Sequence, residues 1–323
     1  MKKILGLLLI CSSIIAEGKI SGIGFYNYTY NLAEGTDKSG FSFDRIYFTY
    51  QNTLSDKTSF KFQTDVGRFN FIDKDASNNI VIGVQSNLFT YIKKAQLDWK
   101  SSIGKITLGM QGMNIFNVIE KTWGFRFIEK SPMDKHKFSS SADMGVGFSG
   151  KMSKLSYSIL FTNGSGYKKQ ETDAYKKIST QLVYGQKKLA NEDGFNIGIS
   201  ESYEPYNQND TKIVRSLFGG YAGGGLRIGG EFDMHTDSGE DETKQIMAFY
   251  ASYKVMDNLE GLVYVDIYDP NISIDNDSET YIILGMNYYP SKGLIITPNI
   301  RTTSFDNGSN SNTILKINCQ FSF

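Results

Sequence analysis

Two cysteines, two histidines and five prolines are all that the 323 residues contain. No disulfide framework can be built, because Cys11 lies in an apolar leader and only Cys319 remains beyond it. His136 and His235, both expected in connections, offer little for a metal centre or a histidine-dependent active site. Neither sign of charge is in excess, with 34 Lys+Arg against 34 Asp+Glu, which argues against general nucleic-acid binding. After the leader no apolar run approaches the ~20 residues of a transmembrane helix. Mean hydropathy is negative, yet aromatics are plentiful, with Tyr 20 and Phe 22.

The leader reads as a secretory signal peptide over residues 1–16. Lys2 and Lys3 precede the apolar run Ile4 to Ile10, and the small residues Ser12, Ser13 and Ala16 follow. Losing those two lysines tips residues 17–323 slightly acid. A lipoprotein reading through Cys11 is weakened by Ile10, which stands where a small residue is required.

The informative pattern is at the other end. Leu315, Ile317, Cys319, Phe321 and Phe323 alternate with Lys316, Asn318, Gln320 and Ser322, and a period of two is a β-strand. One face is apolar and the other polar. In a bilayer the apolar face meets lipid, and every strand edge must then be paired, because an unpaired backbone group in hydrocarbon costs several kcal/mol. The last strand must close onto the first. Comparable alternation recurs from Ile20–Leu32 to Leu294–Thr302 and gives about sixteen strands, joined by alternately short and long connections. The expected fold is all-β, a transmembrane antiparallel barrel over residues 17–323. Both termini lie on the periplasmic side and the longer connections outside. The strand from Thr211 is left open, since Arg215 and Leu217 share one face and Ser216 and Phe218 the other.

Several motifs have plainer readings. Gly145, Gly147 and Gly150 match G-x-G-x-x-G, but a dinucleotide site needs a helix next, and here another strand follows. Ser139 to Ser141 near His136 suggest a lipase-like pair only weakly. Asp275, Asp277 and Glu279 alternate in an outer connection but lack the glycine of a calcium loop. No enzymatic activity, cofactor or metal is expected.

The long connections carry more. Arg68 to Leu88 is polar. The third and longest, Gly112 to Ser140, holds five basic and three acidic residues among Glu120, Lys121, Arg126, Glu129, Lys130, Asp134, Lys135 and Lys137, together with Trp123, Phe127 and His136. Connections of that length are functional or disordered, and the aromatics favour function. Folded inward, it narrows the lumen with cations that attract anions; folded outward, it meets lipopolysaccharide or a neighbouring subunit. The strands place Arg45, Lys61, Lys94, Arg227, Arg301 and Lys316 on the lumen wall against Asp65, Asp98, Glu231, Asp233 and Asp266. That mixture implies weak selectivity.

Phe43-Asp44-Arg45-Ile46-Tyr47, Leu54 to Gln63, Lys94-Ala95-Gln96-Leu97, Leu108-Gly109-Met110-Gln111, Tyr264 to Asn271 and Leu284 to Pro290 together resemble the phosphate-selective porins of O and P type. The likeness is loose but spread over most of residues 17–323. It implies a trimeric water-filled channel with an inward third loop and passive uptake of small anions such as phosphate. Tyr264 stands where that family often has an arginine, and its best-known type has eighteen strands. The sequence thus points to an outer-membrane porin with modest anion preference, in contact with outer-membrane lipid and lipopolysaccharide. The alternatives are a non-selective or cation-leaning porin, or a closed structural or adhesive barrel.

Overall fold

The computed structural model describes residues 18–32, 39–67, 70–74, 80–84 and 88–323. The expected signal peptide lies outside the described residues. The first strands are β1 (Lys19–Asn31), β2 (Gly40–Thr53), β3 (Thr58–Gly67), β4 (Asn70–Lys74), β5 (Ile80–Val84), β6 (Phe89–Lys100) and β7 (Lys105–Gly112). Helices α1 (Asn117–Trp123) and α2 (Pro132–Lys135) follow. Then come β8 (Ala142–Met152), β9 (Leu155–Thr162), β10 (Lys177–Gly185), β11 (Gly194–Pro205), β12 (Thr211–Gly223) and β13 (Leu226–Asp237). The chain ends with β14 (Glu242–Met256), β15 (Leu259–Asp269), β16 (Glu279–Ser291), β17 (Leu294–Phe305) and β18 (Asn312–Ser322).

Sixteen of these strands form a closed antiparallel barrel in which each pairs with its sequence neighbour, except that β3 pairs directly with β6. The seam closes as backbone chemistry in lipid requires. β1 pairs with β18 from Ile23 opposite Ser322 to Asn31 opposite Ile314. Gly22 and Phe323 then exchange two further backbone hydrogen bonds of 3.1 Å. No helix among the described residues is long and apolar enough to cross a membrane.

Three corrections to the sequence reading arise in the connections. Residues 68–88 are not all loop, because β4 and β5 pair there as a ribbon outside the barrel. His235 lies in β13 rather than in a connection, and Glu279 opens β16. The tight turns are otherwise as the composition implies. Gly224 and Gly225, both at positive φ (+61 and +83), form the two-residue hairpin between β12 and β13, a twist-matched turn that favours glycine.

Parity decides what each face meets. Ile197, Ile199, Leu217, Phe249, Leu284 and Ile317 are exposed on one face, while Asn196, Ser200, Ser216, Asp266, Arg301 and Asn318 are buried on the other. The open strand is settled: Ser216 and Phe218 are buried, and Arg215 and Leu217 point outward. A β-bulge breaks the alternation in β6, where Gln63 opposes Lys94 and Thr64 opposes Ile92. Lys93 is the extra residue, so Lys93 and Lys94 both stay off the outer face. A second irregularity between Phe25 and Tyr26 leaves Asp44 unmatched beside Arg45.

Closure predicts a parity test on the seam strand. Replacing outward Ile317 by Lys should lower folding stability by ~2–4 kcal/mol, the penalty of a basic group near the bilayer midplane. Replacing Lys316 by Leu should cost under ~1 kcal/mol. Denaturant unfolding in lipid vesicles measures both.

Candidate functional site

Residues 113–141, between β7 and β8, carry half of the largest fully buried side chains. Ile115, Val118, Ile119 and Met133 are wholly buried, and Phe116 and Phe138 nearly so; they pack on Val183, Val214, Phe218, Ile246 and Ala248. Trp123, Phe125, Phe127 and Ile128 pack on Phe25, Tyr47, Tyr250, Leu262, Tyr264 and Ile283. The segment therefore lies against the wall face opposite the exposed aliphatic rows. Helix α1 runs from Asn117 to Trp123 and stops at Gly124, whose left-handed φ of 78° suits a glycine cap. Pro132 opens α2 at its first position, where a missing N–H costs nothing.

Polar bonds fix the segment at both ends. On one side Asn114 donates to Ser158 Oγ at 3.0 Å and accepts from Ser179 Oγ at 2.8 Å, and Ser200 Oγ donates to the Ile115 carbonyl at 2.7 Å. On the other side Asn318 donates to the Phe127 carbonyl at 2.8 Å and Arg301 Nη2 to the Ile128 carbonyl at 2.7 Å. Arg301 Nη1 also pairs with Glu129 at 2.9 Å, an acceptor shared with the Tyr281 hydroxyl. Lys135 Nζ and His136 Nε2 converge on Asp266 Oδ2 at 2.7 and 2.8 Å, with His136 stacked on Tyr268.

Within the segment Arg126 is held between Glu120 and Asp134, the latter at 2.7 Å. Burial alone would lower the Arg126 pKa, but the two carboxylates outweigh it and raise it well above its ordinary value. Asp134 is likewise held below the usual carboxylate range, because Arg126 overrides the effect of burial.

Six of the sequence candidates come together. Arg45, Arg126, Glu129, Lys130, Arg301 and Lys316, with Phe25, Asp44 and Ile128, line one cavity of about 220 Å³. Its arginines are already committed: Arg45 pairs with Asp65 at 2.7 Å, Arg126 with Glu120 and Asp134, and Arg301 with Glu129. Arg301 is 3% exposed and functions as an anchor. Lys130 and Lys316 have no acidic partner within 4 Å among the described residues. Lys121 lines a different cavity, of about 230 Å³, with Lys105 and Lys187 and no carboxylate. Lys137 lines a third, of about 390 Å³, together with both histidines. The remaining candidates are scattered. Asp98 binds Lys105 at 3.2 Å, and Arg227 lies 3.7 Å from Glu260 and over the Phe125 ring. Among the described residues Lys61 and Lys94 have no ion-pair partner, and Glu231 and Asp233 are buried without a basic one.

Sequence reasoning missed Lys93, which donates to the Tyr47 hydroxyl at 3.0 Å, and also Lys105 and Lys187. Lys93 had a signal: two adjacent lysines in a lipid-spanning strand demand a bulge, since strict alternation would put one of them in lipid.

Comparison with known proteins fits this geometry. No protein-family model matches the chain, and no curated protein matches it. Solved structures do. Salmonella typhi OmpF, in complex with daunomycin, aligns at a TM-score of 0.67 and 11% identity, over 95% of this chain and 97% of that one. An anion-selective porin from Comamonas acidovorans aligns at 0.68 and 11%, over 95% and 99%. Pseudomonas putida OprB, at low pH, aligns at 0.61 and 10%, over 97% and 95%. The fold is that of the bacterial outer-membrane porins. The chain is thus an outer-membrane β-barrel, and its sixteen strands match the porin wall over nearly its whole length.

The anchoring role of Arg301 has a measurable consequence. Replacing it by Leu leaves Glu129 without its basic partner and strands the Ile128 carbonyl and the side-chain oxygens of Asn299 and Asn318, a loss of about 3–5 kcal/mol for a buried partner. We expect new proteolytic cleavage between residues 124 and 131 and noisier single-channel current, with the barrel still resistant to denaturant.

Proposed function

We propose that this barrel is a water-filled channel for passive diffusion of small hydrophilic solutes, narrowed by residues 113–141 folded into its lumen and modestly selective for anions, phosphate among them. The observation that carries the reading is the cavity beneath α1, where Lys105, Lys121 and Lys187 meet with no carboxylate in the lining. Beyond the other end of the segment, Lys130 and Lys316 add two cations with no acidic partner within 4 Å among the described residues. A solute anion moving along the wall would meet Lys121 and Lys187 on one flank of the segment and Lys130 and Lys316 on the other, where Asp44 is the one lining carboxylate outside an ion pair among the described residues. Long-range fields of this kind favour anions without holding them tightly. The proposed assembly is a homotrimer, in keeping with the trimer form described for Vibrio cholerae OmpT, which this fold resembles at a TM-score of 0.66 and 10% identity, over 95% of this chain and 99% of that one.

Reversal potentials in a salt gradient across planar bilayers test the reading. The wild type should shift toward the anion equilibrium potential; a shift toward the cation potential removes the anion claim, and no stepwise conductance removes the channel. Lys121→Gln with Lys187→Gln, and separately Lys130→Gln with Lys316→Gln, should each lower the anion-to-cation permeability ratio, by about 2- to 4-fold for each lysine removed. A unit charge ~5–8 Å from an ion in water is worth about 0.5–0.8 kcal/mol.

The same site predicts a pH dependence. Burial first, and then neighbouring lysines, lower the pKa of Lys121 (through Lys187 and Lys188) and of Lys187 (through Lys105, Lys151 and Lys188). An ammonium is charged below its pKa, so these two lose their charge before ordinary lysines as pH rises. Anion preference should therefore decline as pH rises, and do so before ordinary lysines titrate. The Lys121→Gln/Lys187→Gln variant should lack this early decline.

A further inference from the structure

The outward face of the barrel carries one anomaly. Away from strand ends, Glu201 on β11 and Arg215 on β12 are the only charged residues on the outward rows among the described residues. They stand directly opposite each other in register. Arg215 Nε donates to Glu201 Oε2 at 2.8 Å, and the two side chains are 60% and 54% exposed. The terminal nitrogens of Arg215 have no partner among the described residues. Glu201 thus fixes the guanidinium while leaving its planar fork free.

The pair heads a groove of about 630 Å³ on the outer wall. Its upper row runs Ile159, Thr180, Glu201, Arg215, Met234, and the row beneath runs Tyr157, Leu182, Ile199, Leu217, Phe232. One row further toward the short-turn end, Gly219 and Gly230 face each other and present no side chain, which leaves the slot open along the strands. Above the pair, one outward step toward the long-connection end, stands Tyr203. An aromatic at that level marks the boundary between acyl chains and headgroups.

We propose that this groove binds a phosphate-bearing glycolipid of the outer leaflet, with one acyl chain lying between Ile199, Leu217 and Phe232 and the phosphate on the free fork of Arg215. The chemistry matches at both ends. A guanidinium fork is built for bidentate contact with phosphate, and an arginine just inside the boundary reaches headgroups by extending toward them. The groove below is almost entirely apolar, as an acyl chain needs. This site requires only that the barrel span the outer membrane, and it holds whether or not the channel prefers anions.

Native mass spectrometry of the purified protein, titrated in detergent with diphosphorylated lipid A, tests the proposal. The wild type should retain one lipid A more than Arg215→Gln or the groove-filling Leu217→Trp, with apparent affinity at least about 10-fold higher. Leu284→Trp on a distant strand should behave as wild type. Dephosphorylated lipid A should bind wild type no better than it binds Arg215→Gln. Equal retention by wild type, Arg215→Gln and Leu217→Trp overturns the site. A nitroxide on Ile199→Cys, in a Cys319→Ser background, should be accessible to lipid-dissolved oxygen. Exclusion of oxygen with short label-to-label distances would mean that a second copy of the chain covers the groove instead, and would also overturn the proposal.

Discussion

A backbone amide in hydrocarbon has no water to bond, and that single fact constrains this chain more than any side chain does. An open sheet sixteen strands wide would leave two rows of unpaired donors and acceptors in lipid. The pairing of β1 with β18, completed by the bonds between Gly22 and Phe323, removes both edges. Once the wall is sealed, its two faces meet different surroundings, and the period-two alternation follows. Even the exceptions obey. The bulge at Lys93 costs one ladder bond but spares the membrane a lysine.

A sealed wall of this width cannot fill its own interior with side chains. Here residues 113–141 and the strands they pack on share the buried apolar surface about equally, and Ile115, Ile119, Trp123 and Met133 of the segment are among the largest fully buried side chains. Because these pack on so many strands, small displacements of the segment are opposed by close packing as well as by Arg301, Asn318 and Asp266. Electrostatics divides accordingly. The arginines of the segment and of the wall beside it are paired with carboxylates, whereas Lys121, Lys130, Lys187 and Lys316 have no acidic partner within 4 Å among the described residues. A compact, strongly hydrated point charge on a flexible stem suits transient contact with passing ions better than a rigid fork does.

The wall was legible from sequence because alternation is imposed at every residue by two solvents. All sixteen barrel strands lie where the pattern places them, within a few residues at their ends. The strand from Thr211 resisted for a physical reason: the outward Arg215 and the inward Phe218 each break the expected parity, and only the partner strands settle it. The site was legible in part. Charge and length marked residues 112–140, and six wall and segment candidates do share a cavity. Which of them would be consumed as anchors was not legible, since that depends on partners such as Asn318 and Tyr281, far away in sequence. Helices α1 and α2 were missed because they are short and their apolar residues face several strands at once, leaving no clean 3.6-residue stripe. The β4–β5 ribbon was missed because its surroundings read as polar loop.

The comparison at 10–11% identity and TM-scores above 0.6 shows how little sequence the wall demands. Alternation and pairing can be met by many residues, so the barrel tolerates near-complete replacement while keeping its shape. The same freedom means that wall shape carries no information about solute preference. What distinguishes one such barrel from another must lie in groups the wall does not need: the lysines flanking the segment, the partners that seat it, and the few outward residues, such as Glu201 and Arg215, that lipid alone would not require.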